Sequence, residues 1–314
     1  MKQLWAEKYR PQKLNDYVFR DGSQKKQVET WLKSETIPHL LFSGGPGTGK
    51  TTLAKVLLFE LDVDWGDVLF INGSTDNGVD YIRDIITNFA STMPFGEFKY
   101  IILDEADYLT ANAQAALRGV MERYSNICRF ILTCNYPHKI IPALHSRCQG
   151  FHIEKLDRES FLARMVTILA TEGVLESGDD EDILDILDLY VEATYPDMRK
   201  CINLCQQNTD GGKLNAPHTE EMGVSDYKLQ MIALFRQNKI KEARKVICEN
   251  AAAEDYEDIY RHLYQNLDYW GATEGAQMKA ILIIRNALVN HVAIADPEIN
   301  LSACLIELEM IDEE

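Results

Sequence analysis

The run Gly44-Gly45-Pro46-Gly47-Thr48-Gly49-Lys50-Thr51 completes the pattern G-x-x-x-x-G-K-[ST], set between an apolar stretch and a helical one. Glycines at this spacing let successive backbone N–H groups turn inward around phosphate oxygens, and the helix that opens at Lys50 directs its positive end at the same charge. Gly45, Pro46, Gly47, Thr48 and Gly49 therefore form a candidate phosphate cradle, continued by Thr52. Lys50 is placed to reach the β and γ phosphates of ATP, and Thr51 to ligate Mg²⁺. Some 50 residues on, the apolar run Tyr100 to Leu103 ends in Asp104 and Glu105. Carboxylates there stand where ligands bind in open α/β sheets. Asp104 suits the metal, and Glu105 suits the orientation and polarisation of an attacking water, which hydrolysis needs and simple binding does not. A third run, Phe130 to Thr133, leads to Cys134 and Asn135, whose neutral amide could stand beside the γ phosphate or serve only as a turn former.

These groups need a sheet to hold them. Five short apolar runs, His39–Phe42, Val68–Ile71, Tyr100–Leu103, Phe130–Thr133 and Gly150–Ile153, alternate with amphipathic segments such as Thr51–Glu60, Val79–Ser91 and Ala111–Tyr124. That alternation predicts an α/β fold with a mostly parallel sheet covered by helices over residues 1–155. Beyond Leu156 the pattern is helical. Arg158–Glu172, Asp180–Thr194 and Asp197–Gln207 predict a small domain over 156–218 that ends in the turn-rich Asn208–Pro217. Thr219–Ser225 reads as a linker. Five helical patterns, at 226–237, 239–252, 254–269, 273–291 and 297–311, make a second helical domain over 225–314.

Charge and composition narrow the field. The net charge of −17 lies wholly in the second half, since residues 1–155 carry 18 basic and 18 acidic side chains against 14 and 31 in the remainder. A neutral first half leaves room for a local basic face toward nucleic acid, and an acidic second half does not. Seven cysteines without a Cys-x-x-Cys pair predict reduced thiols rather than zinc or disulfides. No apolar run approaches the roughly 18 residues of a membrane span, and a cytoplasmic protein is expected. Met93, Phe95 and Phe98 form an apolar cluster after a helix, suited either to the core or to a protein partner.

Taken together, the phosphate loop, Asp104-Glu105-Ala106-Asp107, Thr133-Cys134-Asn135 and Ser146-Arg147-Cys148 resemble the AAA+ sliding-clamp loader family, above all the small subunits of replication factor C and the large subunit of T-even-type phage loaders. The likeness is expected to run over about the first 205 residues, with the last 90 agreeing only in length and helical character. It implies an AAA+ P-loop domain, a helical lid and an all-helical collar that mediates oligomerisation. It also implies ATP and Mg²⁺ as cofactors, and further copies of the chain, a different small loader subunit, a ring-shaped clamp and primer-template DNA as partners.

Residue by residue, the resemblance implies that Arg147 enters the ATP site of a neighbouring subunit in trans. Arg199, within Pro196-Asp197-Met198-Arg199-Lys200, would reach the phosphates from the lid. Tyr9, Arg10 and Pro11, with the nearby Val18, would border the adenine. Gln114 would link DNA to the catalytic acid, and Arg83 and Thr110 would lie at helix N-termini that track one DNA strand. Asn72–Gly78 departs from replication factor C, which carries an arginine there, and favours the phage-type relatives, hence the host cytoplasm. An AAA+ DNA motor such as a branch-migration helicase is the alternative.

Overall fold

The computed structural model describes residues 3–174, 180–216, 227–291, 294 and 296–311; the expected linker at 219–225 lies outside them. The chain forms two compact units, Met1–Gly178 with Thr194–Gln207, and Asp179–Ala193 with Asn208–Glu314.

In the first unit, α1 (Trp5–Lys8) and α2 (Gly22–Lys33) precede β1 (Leu40–Ser43), α3 (Lys50–Glu60), β2 (Val68–Asn72) and α4 (Val79–Ala90). There follow β3 (Lys99–Asp104), α5 (Ala111–Arg123), β4 (Cys128–Cys134), α6 (Pro142–His145), β5 (Gln149–His152) and α7 (Arg158–Thr171). The strands form one sheet in the order β2-β3-β4-β1-β5, parallel throughout. Central β1 is buried along its whole length and β3 over all but its last residue, because helices cover both faces; such strands read as unbroken apolar runs instead of alternating ones. Edge strands β2 and β5 expose part of their length. The register brings strand ends level: Ser43 pairs with Cys134, Leu103 with Leu132, and Asn72 with Asp104. The turns leaving β1, β3 and β4 therefore emerge side by side.

After α7 come α8 (Asp180–Thr194) and α9 (Met198–Gln207), then the hairpin β6 (Thr209–Asp210) and β7 (Lys213–Leu214). The three helices expected for the lid are shared: α7 and α9 belong to the first unit, and all of α8 but Thr194 to the second. The cause is side-chain packing within the second unit. Leu189 and Ala193 lie against its core, and Arg236 joins Asp188 (2.6 Å) and Glu192. The hairpin stands where the sequence reads only as turns. Gly211 and Gly212 both have positive φ, +56° and +80°, the backbone that a two-residue hairpin of right-handed twist requires.

The second unit continues with α10 (Tyr227–Arg236), α11 (Ile240–Asn250), α12 (Tyr256–Gln265), α13 (Glu274–His291) and α14 (Pro297–Glu309). The helical pattern at 254–269 is interrupted, since Asn266 leaves helical geometry and a 3₁₀ turn, Leu267–Trp270, folds the Trp270 indole N–H back to the Leu263 carbonyl (3.4 Å). Buried Asn300 joins α12, α13 and α14 by donating to the Tyr260 hydroxyl and the Ala287 carbonyl, both at 2.8 Å. No helix among the described residues is long and apolar enough to cross a membrane.

Candidate active site

Gly49, with φ +90°, turns the chain from the loop into α3 and leaves the first N–H groups of that helix unpaired by its own turns. Lys50 is buried and its ammonium donates to the carbonyls of Gly44 (2.9 Å) and Gly45 (2.6 Å). Burial lowers its pKa, against which the carboxylates of Asp104 and Asp107 act to keep it charged. Thr48 is buried as well, its hydroxyl donating to the Gly45 carbonyl at 2.9 Å, which closes the loop on itself.

One oxygen joins the ends of β3 and β4 to the start of α3. Asp104 Oδ1 accepts from the Thr51 hydroxyl (2.6 Å) and from the Thr133 hydroxyl (2.7 Å), and Thr133 Oγ1 in turn accepts from the backbone N–H of Glu105 (3.0 Å). A hydroxyl beside a carboxylate is a hard-oxygen pair that fits Mg²⁺, which keeps several waters and phosphate oxygens instead of demanding a protein cage. No cluster of three or more His, Cys, Asp or Glu able to form such a cage occurs among the described residues. Glu105 itself has φ 55° and ψ 45°, a left-handed backbone that costs a non-glycine residue about 1–2 kcal/mol. Glu105 lines the cleft from this position at the end of β3. Gly73 allows it, since a Cβ there would stand 2.6 Å from the Glu105 carbonyl oxygen.

Asn135 lines the same cleft, and Asp107 Oδ2 holds the chain there by accepting the N–H groups of Asn135 and Tyr136, each at 3.2 Å. Gln114 is buried, and its amide is spent on backbone: it donates to the Leu109 and Lys139 carbonyls (3.2 and 3.1 Å) and accepts from Ile141 N–H (2.8 Å). It thereby splices α5 to the segment that follows Asn135. Cys134 also borders the cleft, with its thiol pushed up to about 12 by burial and so inert at neutral pH.

A second, more apolar cleft of about 580 Å³ adjoins the first, lined among others by Tyr9, Arg10, Pro11, Val18 and Met198. Arg10, Gly47, Gly49, Thr52 and Arg199 border both, so the two make one elongated trough. Tyr9 is fixed by its hydroxyl, which donates to Glu172 (2.6 Å), and Arg10 by its donation to Thr52 Oγ1 (3.3 Å). Arg147 lines neither cleft. Its guanidinium folds onto its own chain, donating to the Ala143 carbonyl (2.8 Å) and pairing with Glu122. Thr110 caps α5 by accepting Ala113 N–H (3.2 Å), and Arg83 pairs loosely with Asp80 at 3.7 Å along α4.

Sequence reasoning missed Thr133, Asp107, Tyr17, Leu156, Met198, Ile202 and Asp197. Asp107 stood in the quoted Asp-Glu-Ala-Asp run, and only contact reveals that it holds the Asn135 turn. Asp197 caps α9 by accepting Lys200 N–H (2.8 Å), and a Cβ on Gly47 would fall 1.7 Å from its Oδ1. With φ +68° at Gly47 as well, Gly47→Ala is expected to weaken ATP binding at least tenfold, roughly the effect of losing one well-placed phosphate contact, read by titration with a fluorescent nucleotide.

A phosphate loop leaving β1 of a parallel sheet, a polar residue at the end of the adjacent β4 and an acid pair at the end of β3 beyond it define an AAA ATPase. The model of the ATPase family associated with various cellular activities (AAA) matches residues 40–155. The chain is 39% identical to a replication factor C small subunit of Methanococcus maripaludis over 83% of this chain and 79% of that one. It is 35% identical to that of Methanococcus vannielii over 99% and 100%, and 37% identical to that of Sulfurisphaera tokodaii over 99% and 96%. The chain belongs to the replication factor C small subunit family, and is an ATP-hydrolysing AAA+ subunit of a sliding-clamp loader of DNA replication. The likeness extends over nearly the whole chain, so the expectation that it would end near residue 205 is corrected. Among solved structures, a RuvB variant of Thermotoga maritima aligns with TM-score 0.54 at 15% identity, over 82% of this chain and 91% of that one. The RuvB Holliday junction branch migration motor of the same organism aligns at 0.51 and 17%, over 77% and 80%. At such identity these show the fold alone, and the branch-migration alternative has less support.

Proposed function

We propose that ATP lies along the trough with its base against Tyr9, Arg10, Pro11 and Val18 and its phosphates in the cradle from Gly45 to Thr52. Lys50 offsets charge on the β and γ phosphates, while Thr51 and Asp104 hold Mg²⁺, which would stabilise the charge of the phosphoryl group in transfer. Glu105 orients the attacking water, Asn135 holds the γ-phosphate side of the site, and Arg199 ties the nucleotide to α9. The observation that carries the assembly is Arg147: it stands outside its own cleft, on an exposed ion pair, as a group must that serves the site of a neighbour.

On this reading the chain works as several copies with a different small subunit. ATP orders them into a spiral that opens the ring clamp and admits primer-template DNA; hydrolysis releases the closed clamp. The division into ATPase domain, lid and collar follows 1–155, 156–218 and 225–314. The collar reading is supported by α13, whose Met278, Leu282 and Val289 are exposed at spacings of four and seven on one face. Arg83 and Thr110 would meet DNA, with Gln114 relaying contact to the segment of Asn135. Met93 and Phe95, 89% and 81% exposed, would meet an apolar pocket of the clamp. The test is steady-state ATP hydrolysis with and without primed DNA and the ring clamp of the same source. Stimulation that needs both is expected. Stimulation by DNA alone, accompanied by strand displacement, would overturn the loader mechanism.

A further inference from the structure

A carboxylate and an ammonium lie buried at the edge of the sheet opposite the nucleotide. Asp67, 1% exposed, ends the 3₁₀ turn Trp65–Asp67 before β2, and Lys99, 3% exposed, begins β3. Val68 and Tyr100 are register partners, so Asp67 and Lys99 are neighbours at the N-terminal ends of these strands. Lys99 Nζ stands 3.7 Å from Asp67 Oδ1 and 4.2 Å from the centre of the Phe89 ring. Asp67 Oδ1 has no hydrogen bond. Its Oδ2 accepts two, from the N–H groups of Phe95 (2.7 Å) and Gly96 (2.8 Å).

Such a pair does little for stability, because desolvating two charges offsets most of their attraction, and apolar residues of like size commonly serve as well or better. What an apolar pair could not do is accept the two N–H groups of the turn after α4. That turn carries the most exposed large apolar side chains of the described residues, Met93 and Phe95. Phe95 rests one ring edge over Gly66, where a Cβ would come within 3.0 Å, and leaves the rest to solvent. An apolar epitope held rigid before contact avoids the entropy of ordering it on contact.

We infer that Asp67, held beside Lys99, is a positioning residue that preorganises the Met93–Phe95 turn for the apolar pocket of the ring clamp. This rests on the reading of that turn as the clamp contact, and the variants separate the two. Asp67→Leu with Lys99→Met keeps the branching and reach of the two side chains and removes the acceptor; Asp67→Asn with Lys99→Met removes the same charges and keeps a carbonyl oxygen for the two N–H groups. Phe95→Ser removes the contact itself from an exposed site.

ATP hydrolysis by the assembled loader on saturating primed DNA would be titrated with clamp. The Leu/Met variant is expected to raise the half-saturating clamp concentration about tenfold, the equivalent of ordering one or two turn residues at the interface. Hydrolysis without clamp and the melting temperature stay near the parent values, and amide exchange at Phe95 and Gly96 accelerates. The Asn/Met variant stays within about threefold of the parent. Equal clamp requirements in the two double variants, with Phe95→Ser raised, would overturn the inference alone. An unchanged Phe95→Ser would overturn the contact and the inference together. A Leu/Met variant that fails to fold, beside an Asn/Met variant that folds, would make Asp67 a stability residue and also overturn it.

Discussion

Glu105→Gln leaves the loader able to bind ATP and the clamp but slows hydrolysis by about 10²–10⁴, the usual contribution of a positioned general base. Three observations support so large an effect from so small a change. The carboxylate stands at the C-terminal end of β3, one residue past the Asp104 oxygen that the hydroxyls of Thr51 and Thr133 share. Its backbone is held left-handed, with its N–H bonded to Thr133 Oγ1 and its carbonyl pressed close to Gly73, so the side chain has a direction imposed on it. The amide of glutamine keeps that shape and still accepts a hydrogen bond from water, yet it cannot take the proton. Nucleotide titration and single-turnover hydrolysis measured on the same preparation separate the two properties. Hydrolysis within about tenfold of the parent would move the base to another group.

On the proposed reading, Arg147→Ala acts on a different molecule from the one that carries it. The expected loss is about a thousandfold or more in the assembled loader, or roughly 4 kcal/mol of transition-state stabilisation, with ATP affinity nearly unchanged. The pair that Arg147 makes with Glu122 is half-exposed on the carboxylate side, and an ion pair of that kind is worth at most about 1 kcal/mol. Releasing the guanidinium toward a neighbouring phosphate therefore costs little, and the variant subunit should melt within a few degrees of the parent. Mixing supplies the decisive measurement. Arg147→Ala subunits mixed with Glu105→Gln subunits, each inactive alone, should regain hydrolysis where the arginine of a Glu105→Gln subunit meets the intact site of an Arg147→Ala neighbour. No hydrolysis in the mixture would place the residue in cis.

Much of the site was legible in the order of residues because the chemistry is local. The phosphate cradle needs glycines at fixed offsets and a helix directly behind them, and all of this lies within Gly44–Glu60. Strands β1, β3 and β4 were legible for a related reason: burial on both faces leaves no polar alternation, only short apolar runs between turns. Edge strands and short helices were less so. Helix α2 escaped notice because it buries few apolar side chains, Val28 and Trp31, along a mostly polar face. The break at Asn266 depends on Trp270 finding the Leu263 carbonyl, which no periodicity reports.

Other features belong to tertiary structure. That Thr133 completes the Asp104 bridge follows from the β3-β4 register, and that Asp107 holds the Asn135 turn follows from the same strand pairing. The lid pattern predicted three helices as a group, whereas Asp188 and Glu192 draw α8 toward Arg236 of the second unit. Asp67 carries no mark in the sequence, because its burial beside Lys99 and its two bonds to a turn 28 and 29 residues away join groups distant along the chain. Sequence by itself determined the nucleotide chemistry, the sheet and the family, since each rests on neighbours along the chain. Which polar groups hold one another, and which way Arg147 faces, was decided by the fold, because those contacts join residues that only strand order and helix packing bring together.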